Sequence, residues 1–212
     1  FGATWLAGAY GPGAVEATRQ LASERKNLEA AAELAVKRHP TAAAALVLAL
    51  EPLGALGRPA DAHISLLADV AERLSLLAEA ATEHRARVLL AHARATHKRG
   101  RLAEAAASIE AAHELVEAGD ALRAEILAER GMLAHTEGRR VEALADLEAA
   151  AAIARSSGDL RLQGVANGLL VLRRLNDGDD KAAIDHGARS LLCHERAGDT
   201  TSAAGAAAVL GR

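Results

Sequence analysis

The sequence predicts an all-α fold: a right-handed α-solenoid of antiparallel helix pairs with a period of about 40 residues. Two observations carry that expectation. Half of the 212 residues are hydrophobic but only 1% are aromatic, so alanine and leucine must form the core, and they favour close helix packing over a sheet. A punctuated stretch also recurs: GRLAEAAASIEAAHELVEAGD from Gly100, GRRVEALADLEAAAAIARSSGD from Gly138 and GDDKAAIDHGARSLLCHERAGD from Gly178. Their closing Gly-Asp pairs are spaced 39 residues from Gly119 to Gly158 and 40 from Gly158 to Gly198.

Residues 1–40 form a leading linker and a long connecting helix, the helix running from Ala14 to Arg38 and closed by Pro40. The GAYGPG stretch before it, Gly8 to Gly13, is expected to be a linker turn, because it has neither the lysine nor the hydroxyl residue of a phosphate loop. Residues 41–80 read as a degenerate first repeat, divided by Pro52 and Pro59 into helices over about 41–56 and 59–80, with Gly57 in the turn. In the repeat over 81–120, Leu89, Ala93 and Thr96 precede Gly100, and Ala105, Ile109 and Ala112 follow it at helical spacing.

The repeat over 121–159 matches position for position: Leu127, Gly131 and Ala134 before Gly138, then Ala143, Leu147 and Ala150. Over 160–199, Gly178 and Ala183 hold, while Gly187 and Ser190 replace a larger and a small apolar residue. Residues 200–212 start a further first helix that lacks its partner. The punctuation has a mechanical reading. Gly100, Gly138 and Gly178 stand where a helix must end and the chain reverse, a left-handed position that suits glycine. Each Gly-Asp pair, at 119–120, 158–159 and 198–199, combines a C-terminal glycine cap with an aspartate that N-caps the next helix.

These positions resemble the tetratricopeptide repeat, whose first helix carries a small residue before a glycine turn and whose second carries alanine, a larger apolar residue and alanine. The period is longer than that family's usual length of about 34 residues and is similar to the variety in bacterial signalling proteins. The leading stretch LASERKNLEAAAELAV, through Glu24, Asn27, Leu28, Ala31 and Ala32, resembles the segment that opens the helical repeats of bacterial signal-transduction ATPases with numerous domains. GDLRLQGVANGLLVL, from Gly158 to Leu172, resembles the repeat entry of these regulators and their kinase-linked relatives. The resemblance implies a partner-binding or sensor arm of a larger bacterial signalling or transcriptional regulator. The start at Phe1 and the unpaired last helix agree with a piece of a longer chain.

In such an array the first helices line a concave groove. The candidate groove residues are then Arg87, Leu90, Arg94, His97 and Lys98, followed by Glu125, Met132 and His135, then Val165, Leu172 and Leu175. His97 and His135 both stand three residues before a turn glycine. The groove grades from basic to apolar, which suits a protein or peptide partner that is acidic with an apolar portion. The asparagine and lysine pattern of the chaperone-tail-binding members is missing. The alternatives are a stand-alone scaffold or oligomerisation module that bridges or dimerises proteins, and a repeat domain that binds a small molecule; a homodimer through the truncated last repeat is a further expectation.

Other classes are disfavoured. A net charge of −3 offers no surface dedicated to nucleic acid, and charged residues interrupt every long apolar run, so no membrane span is expected. The lone cysteine, Cys193, fits a half-buried packing role in a reducing, cytoplasmic setting and excludes an internal disulfide. His92 and His97 are five apart and fall on different helix faces, so no metal site is expected. Glu104, Glu110 and Glu114 fall on polar faces, no serine or cysteine sits in a nucleophile elbow, and neither a catalytic residue nor a cofactor is predicted.

Overall fold

A computed structural model describes residues 13–57, 59–77 and 81–211; the GAYGPG stretch therefore lies outside them except for Gly13. Among the described residues the secondary structure is helical throughout, and consecutive helices pack on one another. The chain divides into two compact units, Phe1–Val116 and Glu117–Arg212.

The first unit contains α1 (Ala14–Ala35), α2 (Pro40–Leu48), a 3₁₀ turn (Glu51–Leu56), α3 (Asp61–Ser75), α4 (Thr82–Lys98) and α5 (Leu102–Glu114). Helix α1 stops at Ala35, before the expected Arg38, because a residue preceding proline is driven out of the α region. His39 accordingly leaves the α region, with φ −138° and ψ 62°, and its N–H reaches back to the Ala35 carbonyl at 2.7 Å. Pro40 then sits in the first turn of α2, where no N–H is needed. The helix expected over 41–56 breaks at Leu48, since Pro52 lacks a donor and its ring obstructs the preceding turn, leaving the tighter 3₁₀ turn. The helix expected over 59–80 is the shorter α3; Arg58 and residues 78–80 lie outside the described residues.

Small residues let these helices close on one another. Ala32, Ala43, Ala44, Val47, Ile64, Leu67, Val70, Leu74 and Val88 form one buried cluster, with Leu89 packed half-buried against it. Helices α4 and α5 reverse at Gly100, with φ +77°, and run antiparallel; His92 Nδ1 lies 2.8 Å from the Ser108 hydroxyl across the pair. Ala93, Ala105, Ile109 and Ala112 are all buried.

The second unit contains α6 (Ala121–Thr136), α7 (Arg140–Ser157), α8 (Leu160–Asn176), α9 (Asp180–Ala197) and α10 (Thr200–Val209). Gly138, Gly158, Gly178 and Gly198 take left-handed conformations with φ from +72° to +77°, so glycine both reverses the pairs and joins them. Gly119 departs from the expected capping role. Helix α5 already ends at Glu114, with Leu115 as its C-cap, and Gly119 is not among the left-handed glycines. The aspartates cap as expected: Asp120, Asp159 and Asp199 accept from the N–H groups of Leu122, Leu162 and Ser202 at 2.8, 2.9 and 3.0 Å. A further cap, Asp179 on Ala182 at 3.1 Å, follows the Gly178 turn; Arg101 and Arg139, the corresponding residues after Gly100 and Gly138, make no such bond.

Packing is tightest where glycine lies inside a helix. A Cβ on Gly131 would stand 2.9 Å from Leu147 Cγ and 3.1 Å from the Ala143 carbonyl, so α6 and α7 approach through a missing side chain. Beside that contact Arg130 grips Asp146 through two parallel bonds of 2.8 and 2.7 Å. Leu127, Leu147, Ala150, Leu162 and Leu170 are buried in one cluster, and Ala143 and Ala183 are buried as expected. At Gly164 a Cβ would meet the His194 ring at 2.7 Å, and the buried Ser190 hydroxyl donates to the Gly164 carbonyl at 2.8 Å. These contacts join the start of α8 to the end of α9, so that pair too is antiparallel.

Candidate partner-binding site

The predicted basic residues of the first unit are placed by the 3₁₀ turn. Arg94 Nη1 donates to Glu51 Oε1 at 2.8 Å, and Lys98 Nζ donates to the Gly54 carbonyl at 2.7 Å. Together with Arg25, Leu53, Pro59 and His63 they line a cavity of about 320 Å³. Arg25 is itself held by Glu29 at 3.0 Å, so the cations of this cavity already have partners. Two of the predicted groove residues fall elsewhere. Leu90 is 2% exposed and belongs to the core, because its face of α4 is the packed one. Arg87 is exposed and bound to Glu83, one turn back on its own helix. His97 is half-buried.

In the second unit the first helices of successive pairs lie side by side. Arg161 Nη2 of α8 is 3.6 Å from Glu125 Oε1 of α6, and Asn176 Nδ2 donates to His135 Nε2 at 3.3 Å, so the two run parallel about one period apart. Glu125 and His135 are thereby engaged with the neighbouring helix. Met132 and Val165 are half-buried, while Leu172 and Leu175 are 45% and 46% exposed. The repeat period maps Met132 onto Leu172 and His135 onto Leu175. The apolar end of the predicted groove therefore survives as a surface, whereas the charges at its basic end are largely engaged.

A second cavity, of about 490 Å³, opens where α7 and α9 flank α8, and a groove of first helices alone does not include it. Leu160, Leu170, Leu192 and Cys193 give it an apolar lining, and Arg155, Arg189 and Arg196 bring positive charge. His186 Nδ1 lies 2.9 Å from Asn167 Oδ1 within it. Burial, reinforced by Arg189 and Arg174, pushes the His186 pKa below the usual histidine range. Burial raises the Cys193 thiol pKa, with Arg196 pulling weakly the other way, so the thiol is poorly activated. The signal that could have revealed this site is the spacing of Arg189 and Arg196, seven residues apart on one face of α9.

His194 is buried, and His63 and His92 are half-buried. His63, His92 and His194 are all held below the usual histidine range, first by desolvation, with Glu29, Glu104 and Asp199 respectively opposing it. His194 Nδ1 stands 3.5 Å from Asp199 Oδ2, deep at the junction of α9 and α10. Among the described residues no group of three or more His, Cys, Asp or Glu side chains is placed to share a metal ion, and no helix is long and apolar enough to cross a membrane. Compared with known proteins, the chain matches no protein-family model, and no curated protein matches it significantly.

Proposed function

We propose that the chain is a protein-interaction module of tetratricopeptide type, arranged as a right-handed α-solenoid, that receives a signal for a larger bacterial regulator by binding a protein or peptide segment. The observation that carries this reading is the parallel placement of α6 and α8 one period apart, which leaves Leu172 and Leu175 half-exposed on the face shared with Met132. A surface built from equivalent positions of successive repeats presents apolar anchors at regular intervals, the form that a partner helix or extended segment can follow. Binding there would bias attached catalytic or DNA-binding parts through differential affinity for their two states.

Apolar burial by Leu172 and Leu175, which are 45% and 46% exposed, supplies most of the affinity at this face. The test is to replace both leucines by glutamate and compare affinity capture from lysate of the source organism with the unaltered chain. Proteins recovered by the unaltered chain should be lost from the double variant, whose circular dichroism stays the same because both side chains are already half in water. Identical recovery by the two would remove this face as the binding surface. A second reading, a small-molecule receptor, is favoured by the first-unit cavity of about 320 Å³, within the ligand-pocket range. A ligand-dependent rise in melting temperature that survives the leucine substitutions would select it.

A further inference from the structure

The cavity between α7, α8 and α9 has a chemistry that the first-unit cavity lacks. In the first unit Arg25, Arg94 and Lys98 each meet an acceptor. In the second, Arg155, Arg189 and Arg196 converge on an apolar lining, and among the described residues no carboxylate forms an ion pair with any of them. The one acidic lining residue, Glu148, is held by Arg174 at 2.7 Å, and Arg155 makes only a weak internal bond, from Nε to the Ala151 carbonyl at 3.3 Å. Three guanidinium groups around one opening repel each other and create a local field that favours an incoming anion, although the chain as a whole carries −3.

The geometry also sets the form of that anion. Arg189 and Arg196 lie on one face of α9, about 10 Å apart along its axis at 1.5 Å per residue. A small monocarboxylate meets one of them and leaves the other unpaired. Two carboxylates seven residues apart on a helix lying along α9 meet both, since the ligand helix has the same rise. Between them such a helix presents apolar side chains to Leu192, which is 46% exposed, and to the lining contributed by Leu160 and Leu170. We propose that this cavity docks an acidic amphipathic helix of a protein partner, with carboxylates on Arg189 and Arg196, an apolar anchor over Leu192, and Arg155 closing the opposite rim. The site shares no residue with the Leu172 and Leu175 face, so the two can fail separately.

The probe is a fluorescein-labelled helical peptide with glutamates at i and i+7 and leucines between them on the same face, tested against the full chain. Anisotropy should rise to saturation, with affinity reduced about tenfold or more by Arg189→Glu with Arg196→Glu and weakened by salt. Both arginines are exposed and unpaired, so the variant should melt where the unaltered chain does. Bound peptide should also slow alkylation of Cys193, the only thiol in the chain, which lies in the cavity lining. Absence of saturable binding, equal binding of a glutamine version of the peptide, or equal protection of Cys193 by acetate alone would each overturn the proposal. Loss of binding in Leu172→Glu with Leu175→Glu but not in the arginine variant would move the peptide to the α6 and α8 face and overturn it too.

Discussion

Gly131 and Gly164 contribute to the packing through the absence of a side chain. An alanine at Gly131 would press its methyl group on Leu147 and the Ala143 carbonyl, and Gly131→Ala is expected to destabilise by about 1–3 kcal/mol, read as a lower denaturation midpoint. The sequence revealed this position, since it falls where the small residue of the first helix recurs. It did not reveal the fit of Gly164 around the His194 ring, because the two are 30 residues apart and periodicity says nothing about which side chain fills a gap. Ser190 looked like a break in the pattern for a similar reason. Its hydroxyl is satisfied by the Gly164 carbonyl, so a polar atom can take an alanine's place at no loss of hydrogen bonding.

Four histidines, one buried and three half-buried, add a pH dependence at the same scale. His63, His92, His186 and His194 have depressed pKa values in the folded chain, so below the unfolded value of about 6.5 the unfolded chain binds more protons. Their contribution to stability is complete above that pH and is lost as pH falls through the folded values. Thermal melts at about pH 7.5 and 5.5 should show a fall in midpoint, and the fall should be smaller in His194→Gln, which removes one titrating group. An unchanged fall in that variant would assign the effect to other groups.

Helices in this chain are bounded by two devices that sequence shows well and one that it shows poorly. The left-handed glycines and the aspartate caps were legible because each needs a particular residue type at a particular place. Gly138→Ala, with φ +77° and open space around it, should cost about 1 kcal/mol from backbone strain alone. Gly119→Ala should instead stabilise by about 0.4–1 kcal/mol, because that glycine is free of both left-handed strain and close neighbours. Asp159→Ala should cost about 1 kcal/mol through the lost bond to Leu162 N–H. Urea denaturation of the three variants checks all of these. Proline shows less: Pro52 marks a division, but the 3₁₀ turn that follows from it, and the way its Gly54 carbonyl and Glu51 carboxylate engage Lys98 and Arg94, depend on packing about 40 residues downstream.

For the molecule as a whole, the forty-residue period foretold all-helical pairs but not their grouping into two compact units. The division falls between Val116 and Glu117, within the connection where α5 ends early and Gly119 does not cap it. Residues 117–212 expressed alone should therefore keep their helical circular dichroism and unfold cooperatively; a disordered fragment would show that the second unit depends on the first. The arginine-rimmed cavity was illegible at this scale because its lining is drawn from three helices between Glu148 and Arg196, and a linear pattern ranks each arginine as ordinary surface charge.

Gly187 replaces a larger apolar residue of the repeat, and a Cβ there would lie 2.7 Å from Leu210 Cδ2, beyond the end of α10. The notch left in α9 is thus a keyhole, and Leu210 is the key that turns in it. Whatever disturbs the turn that carries Leu210 loosens two helices at once, and it does so within the unit that carries both proposed binding surfaces.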